Sequence, residues 1–257
     1  MTTATLCILA TAFFLIALLY SSVGFGGGSS YLAILSLYLK DFLAIKTTGL
    51  MCNLVVVSGG SWLFGKNGFF DWKKMLPIVL AGVPLAFLGA MLQLEQRSFF
   101  ITLGSVLALS GVLLLLQIVF QPEKPVPFRR VSWMIGIALG AAIGALSGLV
   151  GIGGGILLSP LLNLMRWDEP KKIAALASFF ILVNSVAGLV GQAVSGHLRI
   201  EMPVLGVLLA AVFLGGQIGT RISLHAIKPV VVKGLTGILV CYIGTKLIVK
   251  YTNGIDI

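Results

Sequence analysis

The feature that most constrains this chain is where its carboxylates are absent. Ten apolar stretches follow one another at 5–22, 29–39, 44–64, 75–94, 98–120, 131–149, 155–165, 173–194, 202–220 and 228–249. All eight acidic residues (Asp41, Asp71, Glu95, Glu123, Asp168, Glu169, Glu201, Asp256) fall in the joints or the tail. Only 10% of the residues are charged and 58% are hydrophobic, against about 25% charged in soluble domains. Such a chain has too little polar surface to cover a water-soluble globule, so the bilayer is its expected solvent. The fold class predicted is all-α, a polytopic helical membrane protein.

The stretches form two sets of five. Val23-Gly24-Phe25-Gly26-Gly27-Gly28 matches Val150-Gly151-Ile152-Gly153-Gly154-Gly155 at an offset of 127, and Ser58 meets Ser185 at the same offset. Pro77/Pro203, Leu88/Leu214, Gly89/Gly215 and Gly111/Gly237 follow at 126. Prolines and glycines held in step over so many positions point to duplication. The repeats are placed at 1–122 and 131–257, joined by a polar loop at 123–130. In each half the second stretch is too short to span. Eleven residues at 29–39 reach roughly 17 Å as a helix, against a hydrocarbon core of about 30 Å. The first two stretches therefore form a broken hairpin bent at the glycines, followed by three spans. The odd number of spans inverts the second repeat relative to the first, as in many secondary transporters.

Net charge is +10. No nucleic-acid motif accompanies it, and most of the basic residues lie between apolar runs, where they orient a membrane protein. With Lys40, Lys46, Arg97, Arg199, Lys246 and Lys250 on one side, the other twelve lie opposite. The more basic side is expected to be cytoplasmic and both termini external. The first run lacks a preceding basic flank and reads as a membrane helix rather than a cleaved leader. Cys7, Cys52 and Cys241 lie in apolar stretches and read as small buried hydrophobes.

The glycine runs carry the chemistry. A helix broken at membrane depth leaves N–H and C=O groups that only protein or a wet cavity can satisfy. Each run precedes a short helix, opened by Gly28-Ser29-Ser30 in one half and by Gly154-Gly155 in the other. Helix N-termini attract anions, and two of them meeting near the midplane make an anion site without a cationic side chain. The competing reading is tight helix packing through small residues. Candidate substrate-binding residues are Gly26, Gly27, Gly28, Ser29, Ser30, Asn53 and Ser58 in the first half, and Gly153, Gly154, Gly155, Asn184 and Ser185 in the second. Ser61, Ser178 and Gln192 are further polar residues inside the stretches. Gln93, Gln117, Gln217, Arg221, His197 and His225 read as structural or solvated.

Other chemistries find no footing. Gly24-x-Gly26 has no βαβ unit around it, and no Gly-Lys-Ser/Thr follows either run. No stretch holds a deep carboxylate for a sodium cage or proton relay, a metal-ligand cluster or a Ser–His–Asp set. An enzyme is not expected, and neither is a cofactor or nucleic acid.

The motif at 24–28, its partner in Leu149-Val150-Gly151-Ile152-Gly153-Gly154-Gly155-Ile156-Leu157-Leu158-Ser159-Pro160-Leu161-Leu162, and the stretch from Ala174 to Gln192 resemble the TauE/SafE sulfite exporter family over nearly the whole chain. The resemblance implies export of a small sulfur-containing anion, sulfite or a sulfonate, across the bacterial inner (cell) membrane, by a multi-pass carrier coupled to an ion gradient. The two glycine runs match the family's own. Ser29-Ser30 follow the first and Ile156-Leu157 the second, so the halves are chemically unequal there. An anion channel and a non-transporting scaffold are the alternatives. A coupling proton and a homo-oligomer stay open as partners beside the lipid bilayer.

Overall fold

The computed structural model describes residues 3–39, 41–120, 128, 132–200, 202–225 and 229–253. Among these are ten helices and no strand: α1 (Thr3–Ser21), α2 (Gly28–Tyr38), α3 (Phe42–Lys66), α4 (Trp72–Met91), α5 (Gln96–Val119), α6 (Trp133–Val150), α7 (Gly155–Leu164), α8 (Pro170–Val194), α9 (Met202–His225) and α10 (Pro229–Asn253). Each expected stretch is one helix. The expected linker at 123–130 lies outside the described residues except for Phe128, as do Lys40, Glu201 and Asp256. Seven of the described helices, α3 to α6 and α8 to α10, are long and apolar enough to cross a membrane. α2 and α7, with 11 and 10 residues, reach only about 15 Å.

The ends of the helices follow from the joints. Asp41, Asp71, Glu95 and Glu169 occupy the N-cap positions of α3, α4, α5 and α8, where a negative charge suits the helix dipole. Asp41 also accepts a hydrogen bond from the Leu43 N–H at 2.9 Å.

Most of the packing runs between the two sets of five helices. α4 packs on α6, α1 on α9, α5 on α10, and α3 on both α8 and α9. Exchanging the sets maps α4–α6 onto α9–α1, α4–α8 onto α9–α3, α2–α3 onto α7–α8, and α5–α7 onto α10–α2, every one an observed contact. Direction is fixed by residue pairs. Thr47 bonds Gln192 while Ser61 meets Ser178, so α3 and α8 are antiparallel. Gly104 faces Gly244 while Gly111 faces Gly237 and Cys241, so α5 and α10 are antiparallel too. α4 and α6 run parallel in close backbone contact: Gly140, Gly144 and Gly148 lie against the carbonyls of Ile78, Gly82 and Ala86. A stripe of small residues allows this approach, which van der Waals packing in lipid requires.

One position was misplaced by reading it as a joint. Lys46, grouped above with the loop charges, lies in the second turn of α3 with 3% of its surface exposed. The helix begins at Phe42 because Asp41 caps it, and this draws Lys46 into the bundle.

At the opposite end of α3, Asp168 joins α7 to α8. Its side chain is 4% exposed and pairs with Lys74, which also reaches Asp71 at 3.7 Å, and with Lys172 at 3.6 Å. Burial pushes the carboxyl up, but hydrogen bonds from Lys74 and the Glu169 N–H, with the charge of Lys172, outweigh it and hold the group below its ordinary value.

Two outcomes are expected. Gly144→Ala should cost about 1–3 kcal/mol, because a methyl meets the Gly82 carbonyl, whereas Gly206→Ala, with nothing within 4 Å, should be neutral or better. Thermal unfolding in detergent checks the pair. Because the folded pKa of Asp168 is depressed, its contribution is complete above the unfolded value of about 3.9 and is lost as pH falls through the folded one. Wild type should out-melt Asp168→Asn at neutral pH, and the gap should close only in strong acid.

Candidate functional site

The two bends cross the middle of the bundle from opposite sides. α1 passes Gly24, which packs on Ala174 in the second turn of α8. The chain then doubles back to Gly27, which caps α2 in the left-handed region at φ 83°. α6 ends at Gly151, which packs on the Lys46 stem in the second turn of α3. That chain returns to Gly154, capping α7 at φ 81°. Lys46 and Ala174 therefore sit near opposite ends of the bundle, and the N-termini of α2 and α7 lie between them.

Asn53 of α3 joins the two bends. Its Oδ1 accepts from the Gly28 N–H at 2.8 Å, and its Nδ2 donates to the Ile152 carbonyl at 3.2 Å. One fully buried side chain thus satisfies an amide of the first bend and a carbonyl of the second. In α7 the first intrahelical bonds come from Leu157 and Leu158 onto the Gly154 carbonyl, so the N–H groups of Gly155 and Ile156 precede the helix ladder. Tyr31 lies beside Gly27, and Ser185 beside Gly153; both hydroxyls are buried without a partner.

Of the expected site residues, Gly26, Gly28, Asn53, Gly153 and Ser185 are brought together. Gly27, Gly154 and Gly155 line the bends beside them, Gly154 against Phe180 and Gly155 against Ile181. Ser29 is buried in the first turn of α2, and Ser30 bonds Tyr20 at 2.7 Å. Asn184 is buried with both amide atoms unpaired; it lies one residue, about 100° of helix, from Ser185. Ser58 is not among them: it is exposed, and its hydroxyl donates to its own helix at Val55 O.

The reason is a shift in register. Between α3 and α8 the contacts repeat at 128, not 127: Gly60 meets Ser178 as Gly188 meets Leu50. Gly26 accordingly meets Val57 where Gly153 meets Ser185. The counterpart of Ser185 is Val57, and Ser58 is turned away. A single extra residue between the second glycine run and α8 rotates every side chain by a third of a turn.

Lys46 was missed for another reason. Its charge matched the loop pattern, and only the start of α3 and its contact with Gly151 reveal a buried cation. It makes no hydrogen bond or ion pair with a described residue. Near it, the Thr47 hydroxyl donates to Gln192 Oε1 at 2.7 Å, while Gln192 Nε2 is unpaired. At the far end of α3 an open depression of about 500 Å³ is lined by Ser61, Lys66, Phe70 and Trp72 among others. Ser61 reaches inward from it to Ser178 at 3.2 Å. No group of three or more metal-ligating side chains occurs among the described residues.

Two broken helices meet at Asn53 inside the bundle, and sequence relationship decides the family. The sulfite exporter TauE/SafE family model matches residues 9–247. The chain belongs to this family. Among curated relatives it is 32% identical over 242 residues to the probable membrane transporter protein y4hK of Sinorhizobium fredii, covering 93% of this chain and 97% of that one. It is 25% identical to the probable membrane transporter protein YunE of Bacillus subtilis, with 79% and 83% covered. No solved structure matches. Family and fold together make this a multi-pass membrane protein of transporter type.

Asn53→Leu should leave the Gly28 N–H and the Ile152 C=O unpaired in the protein interior, at about 1–3 kcal/mol for each orphaned group. A marked drop in the detergent melting temperature, with Asn53→Gln less affected, is the expected result.

Proposed function

We propose that this TauE/SafE protein is a secondary carrier that exports a small sulfur-containing anion, sulfite or a sulfonate, by alternating access. The observation that carries the reading is the pair of helix N-termini, α2 and α7, opened by left-handed glycines and held together through Asn53. Helix N-termini present amide donors and the positive end of the dipole to a negative solute. The family description, sulfite exporter, supports the substrate class. The bends with Asn53 and Ser185 form the binding site in this reading.

The antiparallel pairing of α3 with α8 and of α5 with α10 supports two repeats, 1–122 and 131–257, inserted with opposite topology. Such a pair can rock about a central site so that it faces each side in turn. The end of the bundle bearing Lys66, Lys73, Lys74, Arg166, Lys171 and Lys172 faces the cytoplasm of a bacterial cell, by the excess of basic residues there.

The test is flux of sulfite and small sulfonates in proteoliposomes of the purified protein. Gly27→Leu and Gly154→Leu put a branched side chain at positive φ against Tyr31 and Phe180, and each should abolish flux while the protein still elutes as a single species. Undiminished flux in both variants would remove the bends from the site. Flux indifferent to any ion gradient would favour a channel.

A further inference from the structure

The duplicated bends are lined unequally, and the inequality has a direction. Register 128 pairs Lys46 with Ala174, Thr47 with Ala175, Asn53 with Ile181, Ser185 with Val57 and Gln192 with Phe64. All ten side chains are buried. In two of these pairs, Lys46/Ala174 and Ser185/Val57, the polar member lies along the second bend, Gly151 to Gly155, and the apolar member along the first; Asn53 touches both bends, and its counterpart Ile181 packs on Gly153 and Gly155. The contacts bear this out: Gly151 touches Lys46 where Gly24 touches Ala174, and Gly153 meets Ser185 where Gly26 meets Val57. The Thr47–Gln192 hydrogen bond stands where Phe64 packs on Ala174 and Ala175.

Within this polar column three groups lack partners. The Ser185 hydroxyl and Gln192 Nε2 are buried and unpaired, and the Lys46 ammonium has no counter-ion among the described residues. Lys46 and Asn53 lie seven residues apart on α3, the same face about 10 Å apart, and both touch the second bend. Lys46 is 3% exposed, and an ammonium so nearly enclosed is stabilised by a neighbouring anion. No carboxylate lies within any described spanning helix, so the protein itself does not supply that anion there.

We propose that the substrate is held in one half-site, between Lys46 and Asn53 along the second bend, and that Lys46 selects a monovalent oxyanion. The single positive charge balances one negative charge. The donors of Ser185, Gln192 and the bend bond its oxygens, and a dianion carries a second charge that nothing in the column offsets. This assignment rests on the transport reading above and goes beyond it by naming the charge of the substrate and the side of the pseudo-symmetric centre that binds it.

The experiment uses the full chain, in detergent and in proteoliposomes, with methanesulfonate as the monoanion and sulfate as the dianion. Methanesulfonate should raise the melting temperature of wild type and cross the membrane, and sulfate should do neither. Lys46→Gln should lower methanesulfonate flux and binding about tenfold or more, the scale of a lost charged hydrogen bond, while Lys46→Arg retains most of both. Lys46→Met removes a buried charge without removing bulk, so it should melt no lower than wild type in the absence of anion and yet fail to transport. Wild-type flux unaltered in Lys46→Gln and Lys46→Met, or sulfate competing as well as methanesulfonate, overturns the Lys46 assignment alone. A wild type that moves neither anion nor sulfite overturns the transport reading, and the assignment with it.

Discussion

In a bilayer every broken helix leaves backbone amides and carbonyls that lipid cannot bond. Here two helices break, and a single carboxamide answers both breaks: Asn53 takes the Gly28 N–H and gives to the Ile152 carbonyl. That junction lets the bends meet near the centre of the bundle. It also leaves the hydroxyl of Ser185, beside Gly153, buried without a hydrogen-bond partner. The opening of the helices and their joining are one event.

Around this junction the two sets of helices are interleaved rather than placed side by side. α4 lies on α6 and α1 on α9 in parallel backbone contact, with glycines set against carbonyls of the partner. Between apolar helices in lipid there is little hydrophobic gain, so close van der Waals contact holds such pairs. Neither set of five has a core of its own, because its main contacts lie across the repeat boundary.

The electrostatics are equally local. Acidic residues cap helices at the membrane surfaces, and Asp168 gathers Lys74 and Lys172 at one end. Inside, Lys46 stands alone against the second bend. The paired Asp168 cluster and the Lys46 ammonium, which has no counter-ion among the described residues, thus lie toward opposite ends of α3.

The membrane class, the ten helices, the short helices after each glycine run and the openings at Gly28 and Gly155 were all legible in the sequence. They depend on composition, on length against bilayer thickness and on the backbone freedom of glycine, all properties of residues near one another in the chain. Asn53 and Ser185 were legible as polar residues in apolar runs. Their partners were not, since a contact between residues 53 and 152 is set only by how α3 crosses α6 and α7. Ser58 looked equivalent to Ser185 until packing showed the register of α3 and α8 to be 128. Lys46 looked like a surface charge until α3 was seen to start at Phe42 and lie against Gly151. The chain alone determined what must be buried in lipid and where it must bend; the tertiary structure alone decided which side chains reach the bends, because one residue of register turns a helix face from the centre to the outside.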